Sequence, residues 1–174
     1  MDTNWYVIQV RSGHEDKIVN ACHTYIPEEI LKKAFVPKYK HVKKIRGEWK
    51  QLESPLFTGY VFLISDNIEE LFYSLHKIPD FTKLLGNDGD DIYPLTRKDA
   101  YFIERFVNDE YILDMSIGHI IGDKVIINEG PLLGYEGLIT KIDRHKRIAY
   151  LDINLFDQHL IAKVGLEIIS KSKE

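Results

Sequence analysis

Cysteine is almost absent from this sequence, which contains Cys22 and no second cysteine, so an internal disulfide is excluded. It shows no signal peptide and no apolar run of membrane-spanning length. Positive charge is also scarce, because 23 lysines and arginines stand against 27 aspartates and glutamates, giving a net charge of −4. Any binding to nucleic acid must then come from a local basic patch. We expect a soluble, cytoplasmic monomer.

The chain opens with an apolar, β-rich run over residues 5–10. Ser12 followed by Glu15 three positions later is a capping box, which predicts the start of a helix that ends before Pro27. The apolar face of this helix carries four residues at spacings of three and four: Ile18, Cys22, Tyr25 and Ile26. This amphipathic pattern predicts a helix packed on a sheet.

More strands and helices follow in alternation. Strongly apolar residues predict strands over 56–64 and 81–85. Asn67 can cap a short helix that extends through Leu75, and Thr96 can cap a third helix. The apolar face of that third helix carries Tyr101, Phe102, Phe106 and Val107. The alternation predicts an α/β sandwich for the first domain.

The character of the sequence changes near residue 115. Glycines recur from there on, at positions 118, 122, 130, 134, 137 and 165. Short strands are predicted over residues 124–128, 137–142, 148–153 and 159–164, with turn signals between them. Such spacing predicts a small all-β barrel. The predicted fold class is therefore α+β, with a sandwich domain at 1–112, a linker at 113–118 and a barrel domain at 119–174.

The most informative segment is residues 122–139, GDKVIINEGPLLGYEGLI. Gly130 and Pro131 turn the chain, and Gly134 and Gly137 permit a positive φ or a close backbone approach at a barrel corner. The glycine pattern alone would suit any SH3-like barrel. The ordered string resembles the KOW motif, which implies a KOW barrel.

KOW barrels occur in ribosomal proteins and in NusG factors, and the first domain distinguishes the two. The strings WYV at 5–7 and SGHE at 12–15 resemble the opening of the NusG N-terminal domain. PLFTGYVF at 55–62 resembles its central strand, and IPDFTKLLG at 78–86 resembles the strand after its second helix. In this order across two domains, the chain resembles the NusG family of transcription elongation factors.

That resemblance implies a transcription elongation or antitermination factor that binds RNA polymerase through its N-terminal domain. It implies that Tyr60, Phe62 and Phe81 help to form the apolar depression that receives the polymerase clamp helices. Tyr60 and Phe62 lie two positions apart and therefore share a strand face. The resemblance leaves open a contact of the KOW barrel with Rho or with a ribosomal protein.

The run RGEWKQLESPLF at 46–57 resembles the specialised paralogues RfaH and LoaP more than the general members of the family. The LoaP type implies recognition of a hairpin in the nascent leader RNA. Two alternatives remain open at this point. One is a housekeeping NusG that acts on most operons, and the other is a ribosome- or RNA-associated KOW protein that does not contact polymerase.

Cations are dense between residues 38 and 50, where only Glu48 opposes them. Tyr39 and Trp49 lie among them, and an aromatic ring beside cations can stack on exposed bases. We predict RNA binding by this segment, with Arg11 as a further member: Arg11, Lys38, Lys40, His41, Lys43, Lys44, Arg46 and Lys50. The alternative is a solvated basic hairpin that merely keeps the protein soluble.

Catalytic chemistry has no support in the sequence. The seven histidines are scattered, without the spacing of a metal site. Cys22 lies on the apolar face of a predicted helix, which favours a buried, inert thiol. Neither a Ser/His/Asp arrangement nor a phosphate-binding glycine loop is legible. We therefore expect no enzymatic activity, no metal and no cofactor.

Overall fold

The computed structural model describes residues 3–85, 87–88, 91–156 and 158–173. Within these residues the chain forms two compact units. The first unit draws on Met1–Pro37, Thr58–Ile103 and Leu155–Asp157, and the second on Lys38–Phe57, Glu104–Asn154 and Gln158–Glu174. The units follow packing and not chain order, because segment 38–57 belongs with the C-terminal strands. The division into domains at 1–112 and 119–174, with a linker at 113–118, stays a prediction.

Three α-helices and fourteen β-strands are formed by the described residues. The helices are α1 (Glu15–Tyr25), α2 (Ile68–Leu75) and α3 (Arg97–Phe106). The strands are β1 (Asn4–Val10), β2 (Lys33–Phe35), β3 (Lys38–Ile45), β4 (Glu48–Pro55), β5 (Tyr60–Ser65), β6 (Phe81–Leu84), β7 (Asn87–Asp88), β8 (Asp91–Ile92), β9 (Ile112–Leu113), β10 (Ser116–Ile121), β11 (Lys124–Glu129), β12 (Ile139–Asp143), β13 (Ile148–Leu155) and β14 (Gln158–Ser172).

The first unit is built on a four-stranded sheet in the order β2-β5-β1-β6. One face of the sheet packs on α1 and α2 in a buried cluster that includes Ile8, Val61 and Leu63. On the other face, the ring of Phe35 lies 5.3 Å from Trp5 and 5.6 Å from Phe62. Both faces of the central strands are therefore buried, which accounts for their nearly continuous apolar sequence.

The predicted caps of the second and third helices are confirmed. The Asn67 side chain accepts a hydrogen bond of 3.2 Å from the backbone N–H of Glu70. Thr96 Oγ1 accepts one of 3.1 Å from the N–H of Asp99. Both caps satisfy backbone donors that a helix leaves unpaired in its first turn.

The capping box predicted at the first helix is wrong. The helix begins at Glu15, and His14 before it makes no side-chain capping bond. The buried Glu15 carboxylate instead accepts hydrogen bonds from the N–H of Gly13 at 3.1 Å and of Gly59 at 2.8 Å. Because Glu15 ties the start of α1 to the turn before β5, it is not available to pair with Ser12.

The central strand is shorter than the sequence predicts. Residues 56–59 form a turn, and β5 begins only at Tyr60. Gly59 has a left-handed backbone, with φ at 85°, and its carbonyl oxygen accepts a hydrogen bond of 2.8 Å from Val10 N–H. Leu56 is buried in this turn, so its apolar character reflects core packing and not strand pairing.

Two tyrosines predicted on buried helix faces lie in solvent. Tyr25 is 64% exposed and Tyr101 is 56% exposed. On α3 the fully buried position belongs to Ile103. A tyrosine at the edge of an apolar stripe keeps its hydroxyl in water, which spacing alone does not reveal.

The second unit contains a five-stranded sheet in the order β11-β10-β14-β13-β12 and a three-stranded sheet in the order β4-β3-β9. The four predicted barrel strands are confirmed as β11, β12, β13 and β14, although Glu136–Leu138 form a 3-10 turn and β12 therefore begins at Ile139. Strand β10 lies partly where the sequence predicts a linker. It pairs in parallel with the long strand β14 and in antiparallel fashion with β11, and these pairings make residues 116–118 part of a sheet.

Candidate nucleic-acid interface

The predicted RNA-binding segment forms an antiparallel hairpin of β3 and β4, paired along its length. Arg46 and Gly47 make the turn, both with left-handed backbones, at φ 51° and 83°. Lys43 lies opposite Lys50, and Lys44 lies opposite Trp49. Because side chains alternate along a strand, the register decides which cations share a face.

The register divides the predicted cations between two faces of the hairpin. One face carries His41, Lys43 and Lys50. The other carries Lys38, Lys40 and Lys44, together with Trp49. Arg46 lies at the turn, and Arg11 is exposed after β1 in the first compact unit. The predicted residues therefore do not form one patch.

Two of the hairpin cations are paired with carboxylates. Lys40 Nζ lies 3.1 Å from Asp114 Oδ1. Lys50 Nζ lies 3.8 Å from Glu48 Oε2, a pair with both side chains largely in solvent. The exposed cations nearest the turn are Lys43, Lys44 and Arg46. These three are the hairpin residues best placed to meet a phosphate backbone.

The hairpin and the barrel strands of the second unit enclose a cleft of about 480 Å³, here called the basic cleft. The hairpin lines it with Tyr39, His41, Val42, Lys43, Lys44 and Trp49, and the barrel lines it with His145, Lys146, Ile148, Tyr150 and Lys163. Sequence reasoning misses the barrel half, because these residues are distant from the hairpin in the chain. The one sequence signal for the barrel half is the presence of cations in the turn at residues 143–146.

Cations lie over aromatic rings on both walls of the basic cleft. The guanidinium carbon of Arg147 is 4.0 Å from the centroid of the Trp49 ring. The Nζ atom of Lys163 is 5.8 Å from the centroid of Tyr150. Arg147 has a left-handed backbone, with φ at 57°, and its carbonyl oxygen accepts a hydrogen bond of 2.9 Å from Leu166 N–H. The backbone of Arg147 is thus held on β14, while the Arg147 side chain reaches Trp49 on the hairpin.

His41 lies in a positive environment inside the basic cleft. Burial, followed by the charges of Lys43 and Lys163, lowers its pKa below the ordinary value. A ring nitrogen, Nε2, is 2.8 Å from Ser54 Oγ. The imidazole is therefore neutral near pH 7, and the same positive field favours an anionic ligand.

The predicted polymerase-binding residues Tyr60 and Phe62 share one face of β5, as the alternation predicts. Tyr60 is half-buried, whereas Phe62 is completely buried and stacks on Phe35. Phe62 is thus a core residue that supports this face from below, and Tyr60 is the side chain that reaches the surface. Their role in binding polymerase stays a prediction.

The structure does not bring Phe81 together with Tyr60 and Phe62. Phe81 is half-buried and packs against the cluster on the helix side of the sheet. The pairing of β6 with β1 shifts register between Gln9 and Val10. Such an irregularity changes which face a side chain meets, and it cannot be located from the sequence.

Other chemistry is sparse in the described part of the chain. Burial raises the pKa of the Cys22 thiol to about 12, which keeps it protonated and unreactive near pH 7. Among the described residues, no group of three or more histidine, cysteine, aspartate or glutamate side chains could hold a metal ion. No helix formed by these residues is both long and apolar enough to cross a membrane.

Comparison with known proteins agrees with the two-part architecture. A profile described as the KOW motif matches residues 121–152. The chain is thus an α+β protein that carries a KOW barrel after an α/β sheet. A second profile, described as "Transcription termination factor nusG", matches residues 3–104. The chain belongs to the NusG family of transcription termination and antitermination factors.

Similar proteins cover most of this chain. The transcription termination/antitermination protein NusG of Campylobacter jejuni is 28% identical over 156 residues, covering 87% of this chain and 88% of the relative. The NusG of Streptococcus pyogenes serotype M3 is 26% identical over 176 residues, covering 98% and 97%. A solved structure described as "Domain interaction in Thermotoga maritima NusG" has a TM-score of 0.55 and 18% identity, covering 95% and 94%, and it supports the fold.

Proposed function

We propose that this NusG-family protein is a specialised elongation and antitermination factor of the LoaP type. It binds RNA polymerase through its N-terminal domain and recognises a leader RNA hairpin, so that transcription continues through terminators. The observation that supports RNA binding is that Lys43, Lys44 and Arg46 are each exposed at the turn end of the hairpin, on its two faces and its tip, in a chain of net charge −4.

The arrangement of these cations suits a phosphate backbone. A turn that projects cations from the end of a hairpin can follow the groove or backbone of a folded RNA without large burial. Lysine and arginine contacts to phosphate fix position but do not choose a sequence. Selectivity for a leader must therefore come from additional contacts to bases or to RNA shape.

The polymerase-binding half rests on Tyr60. Its ring is half-buried, and it lies on the same face of β5 as Phe62, which stacks on Phe35. A partly exposed tyrosine on a regular strand is a typical anchor for an apolar contact with another protein. We assign this surface to the clamp helices, and the KOW barrel stays a candidate surface for Rho or a ribosomal protein.

A housekeeping NusG that acts on most operons is the second candidate. The similar proteins are named plain termination/antitermination factors, which favours this function. The two candidates differ in their dependence on a leader. A specialised factor requires a leader hairpin on the template, whereas a housekeeping factor acts on templates with and without one.

In vitro transcription through a terminator tests the proposal. Templates with candidate leader hairpins are compared with the same templates after the hairpin stem is disrupted, in the presence and absence of the protein. We expect increased read-through only on intact leaders, and we expect the Lys43→Ala/Lys44→Ala/Arg46→Ala variant to lose it. An equal effect on all templates would favour the housekeeping function and reject the specialised one.

A further inference from the structure

We propose that the basic cleft binds unpaired nucleotides of RNA, so that the KOW barrel supplies half of an RNA site whose other half is the hairpin. This inference rests on the proposed function, because it takes RNA as the ligand. It adds the barrel residues Lys146, Arg147, Tyr150 and Lys163 as binding residues, and it specifies single-stranded RNA within a folded leader.

The charge of the cleft selects an anion. Four lysines line it: Lys43, Lys44, Lys146 and Lys163. Among the described residues that line the cleft there is no carboxylate, although acidic residues outnumber basic ones in the whole chain. A set of residues with the average composition of the chain would contain carboxylates, so the excess of lysine is a property of the cleft. Repulsion among the lysines is relieved when phosphates enter.

The aromatic rings select a base. Trp49 is 45% exposed although the Arg147 guanidinium lies over its ring, and Tyr150 is half-buried under Lys163. Unpaired RNA bases stack on aromatic rings and on arginine guanidinium planes. A simple phosphate or an acidic peptide would use the lysines but would gain little from these rings.

The size of the cleft selects unpaired nucleotides over a double helix. A volume of about 480 Å³ falls in the range of pockets for small organic ligands, roughly 300–1,000 Å³. This space suits one or two nucleotides, while a duplex has its bases stacked inside and presents only backbone to such a cleft. The exposed bases of a hairpin loop fit the site and its paired stem does not.

A close backbone contact joins the two walls of the cleft, because Gly165 of β14 lies against the Lys40 carbonyl oxygen of β3. Within the barrel wall, Leu166 of the same strand donates its N–H to the Arg147 carbonyl and holds the turn that carries Arg147. The binding residues are therefore carried on paired strands and a short turn. A site fixed in this way loses little conformational freedom when a nucleotide binds.

The experiment titrates the full-length protein with an unstructured single-stranded RNA oligonucleotide and with the blunt duplex of the same sequence, at several salt concentrations. Tryptophan fluorescence reports stacking directly, because Trp49 is exposed and Trp5 is buried in the other unit. For the parent we expect quenching by the single strand, and weaker binding of the duplex.

The test variant is Lys146→Ala/Lys163→Ala, which removes two exposed cations without touching the core. We expect at least about tenfold weaker binding of the single strand and a log–log salt slope flatter by about 1.4. Lys98→Ala/Lys124→Ala removes the same charge at exposed positions outside the cleft and should bind like the parent. Trp49→Phe should keep most of the affinity, whereas Trp49→Ala should not.

Parent-like binding by the Lys146→Ala/Lys163→Ala variant would overturn the inference. So would tighter binding of the duplex, or displacement of the oligonucleotide by a poly-glutamate peptide as efficiently as by unlabelled RNA. These outcomes are distinct from a failure of the proposed function. If the Lys43→Ala/Lys44→Ala/Arg46→Ala variant loses a leader hairpin while the barrel variant retains it, only the cleft is rejected.

Discussion

Gly165 of β14 packs directly on the backbone of Lys40 in β3. A Cβ atom at residue 165 would overlap the Lys40 carbonyl oxygen and lie 2.7 Å from Cγ of Met115. The glycine is therefore required by close approach of two strands and not by its backbone dihedral angles. Through this contact a barrel strand and the basic hairpin become one packed unit.

Gly165→Ala should destabilise the protein, because the added methyl group must push the two strands apart. We expect the free energy of unfolding to fall by about 1–3 kcal/mol, measured by urea denaturation. Gly137→Ala is the matched control, since a Cβ there meets no atom within 4 Å. Equal decreases in the free energy of unfolding of the two variants would show that the close contact with Lys40 does not determine the cost of the substitution.

Tyr60→Ala should weaken binding to RNA polymerase by about 1–3 kcal/mol if Tyr60 is a central anchor. Affinity is measured by titration of labelled protein with core polymerase. Phe62 is unsuitable for this test, because truncation of a completely buried phenylalanine costs about 3–5 kcal/mol of stability. Tyr25→Ala, at an exposed tyrosine of the same unit, is the control. Unchanged affinity in folded Tyr60→Ala protein would reject this surface.

Lys43→Ala/Lys44→Ala/Arg46→Ala should flatten the salt dependence of RNA binding. Each neutralised phosphate contributes about −0.7 to the log–log slope on single strands and about −0.9 on duplex, so three lost contacts remove roughly 2–3 units. Fluorescence titrations at several salt concentrations measure this slope, with Lys98→Ala/Lys124→Ala as the charge-matched control. An unchanged slope would mean that the turn is only a solvated basic loop.

Acid should destabilise the protein through His41. The groups that face its ring are Tyr39 and Lys43 of β3, Ser54 of β4 and Lys163 of β14. Because the pKa of His41 is lowered in the folded state, the unfolded chain binds a proton first as the pH falls below about 6.5. The contribution of His41 is fully present above that pH and is lost as the pH falls towards the folded pKa.

His41→Gln should therefore lose less stability than the parent between pH 7.5 and pH 5.5. Urea denaturation at the two pH values gives both differences. A parent-like pH dependence in the His41→Gln protein would assign the effect to other groups.

Local signals predict local structure well in this chain. Asn67 and Thr96 cap helices where a short polar side chain meets unpaired N–H groups, and both bonds form. Ser12 has the same sequence pattern, but the predicted capping box with Glu15 does not form, because the Glu15 carboxylate accepts a hydrogen bond from the distant Gly59 N–H. The capping pattern contains no information about that distant competitor.

The candidate site shows the same limit. The cations of the hairpin are visible in the sequence, but their division between two faces depends on the register of β3 with β4. The sequence predicts that Phe62 contributes to a binding surface, but in the structure Phe35 stacks on its ring. Arg147 and Tyr150 enter the site only because β14 approaches β3 at Gly165, a long-range contact that no periodicity predicts.

Arg46 and Arg147 occupy turns of the second unit with left-handed backbones. Residues other than glycine, asparagine and aspartate adopt this conformation at a cost of about 1 kcal/mol or more. Glycine at either position would relieve the strain and remove a guanidinium in the same step. If Arg46 and Arg147 bind RNA as proposed, stability and binding are opposed at these two points of the chain. A laboratory selection for heat resistance alone should then enrich glycine at both positions and yield more stable proteins that bind RNA less tightly.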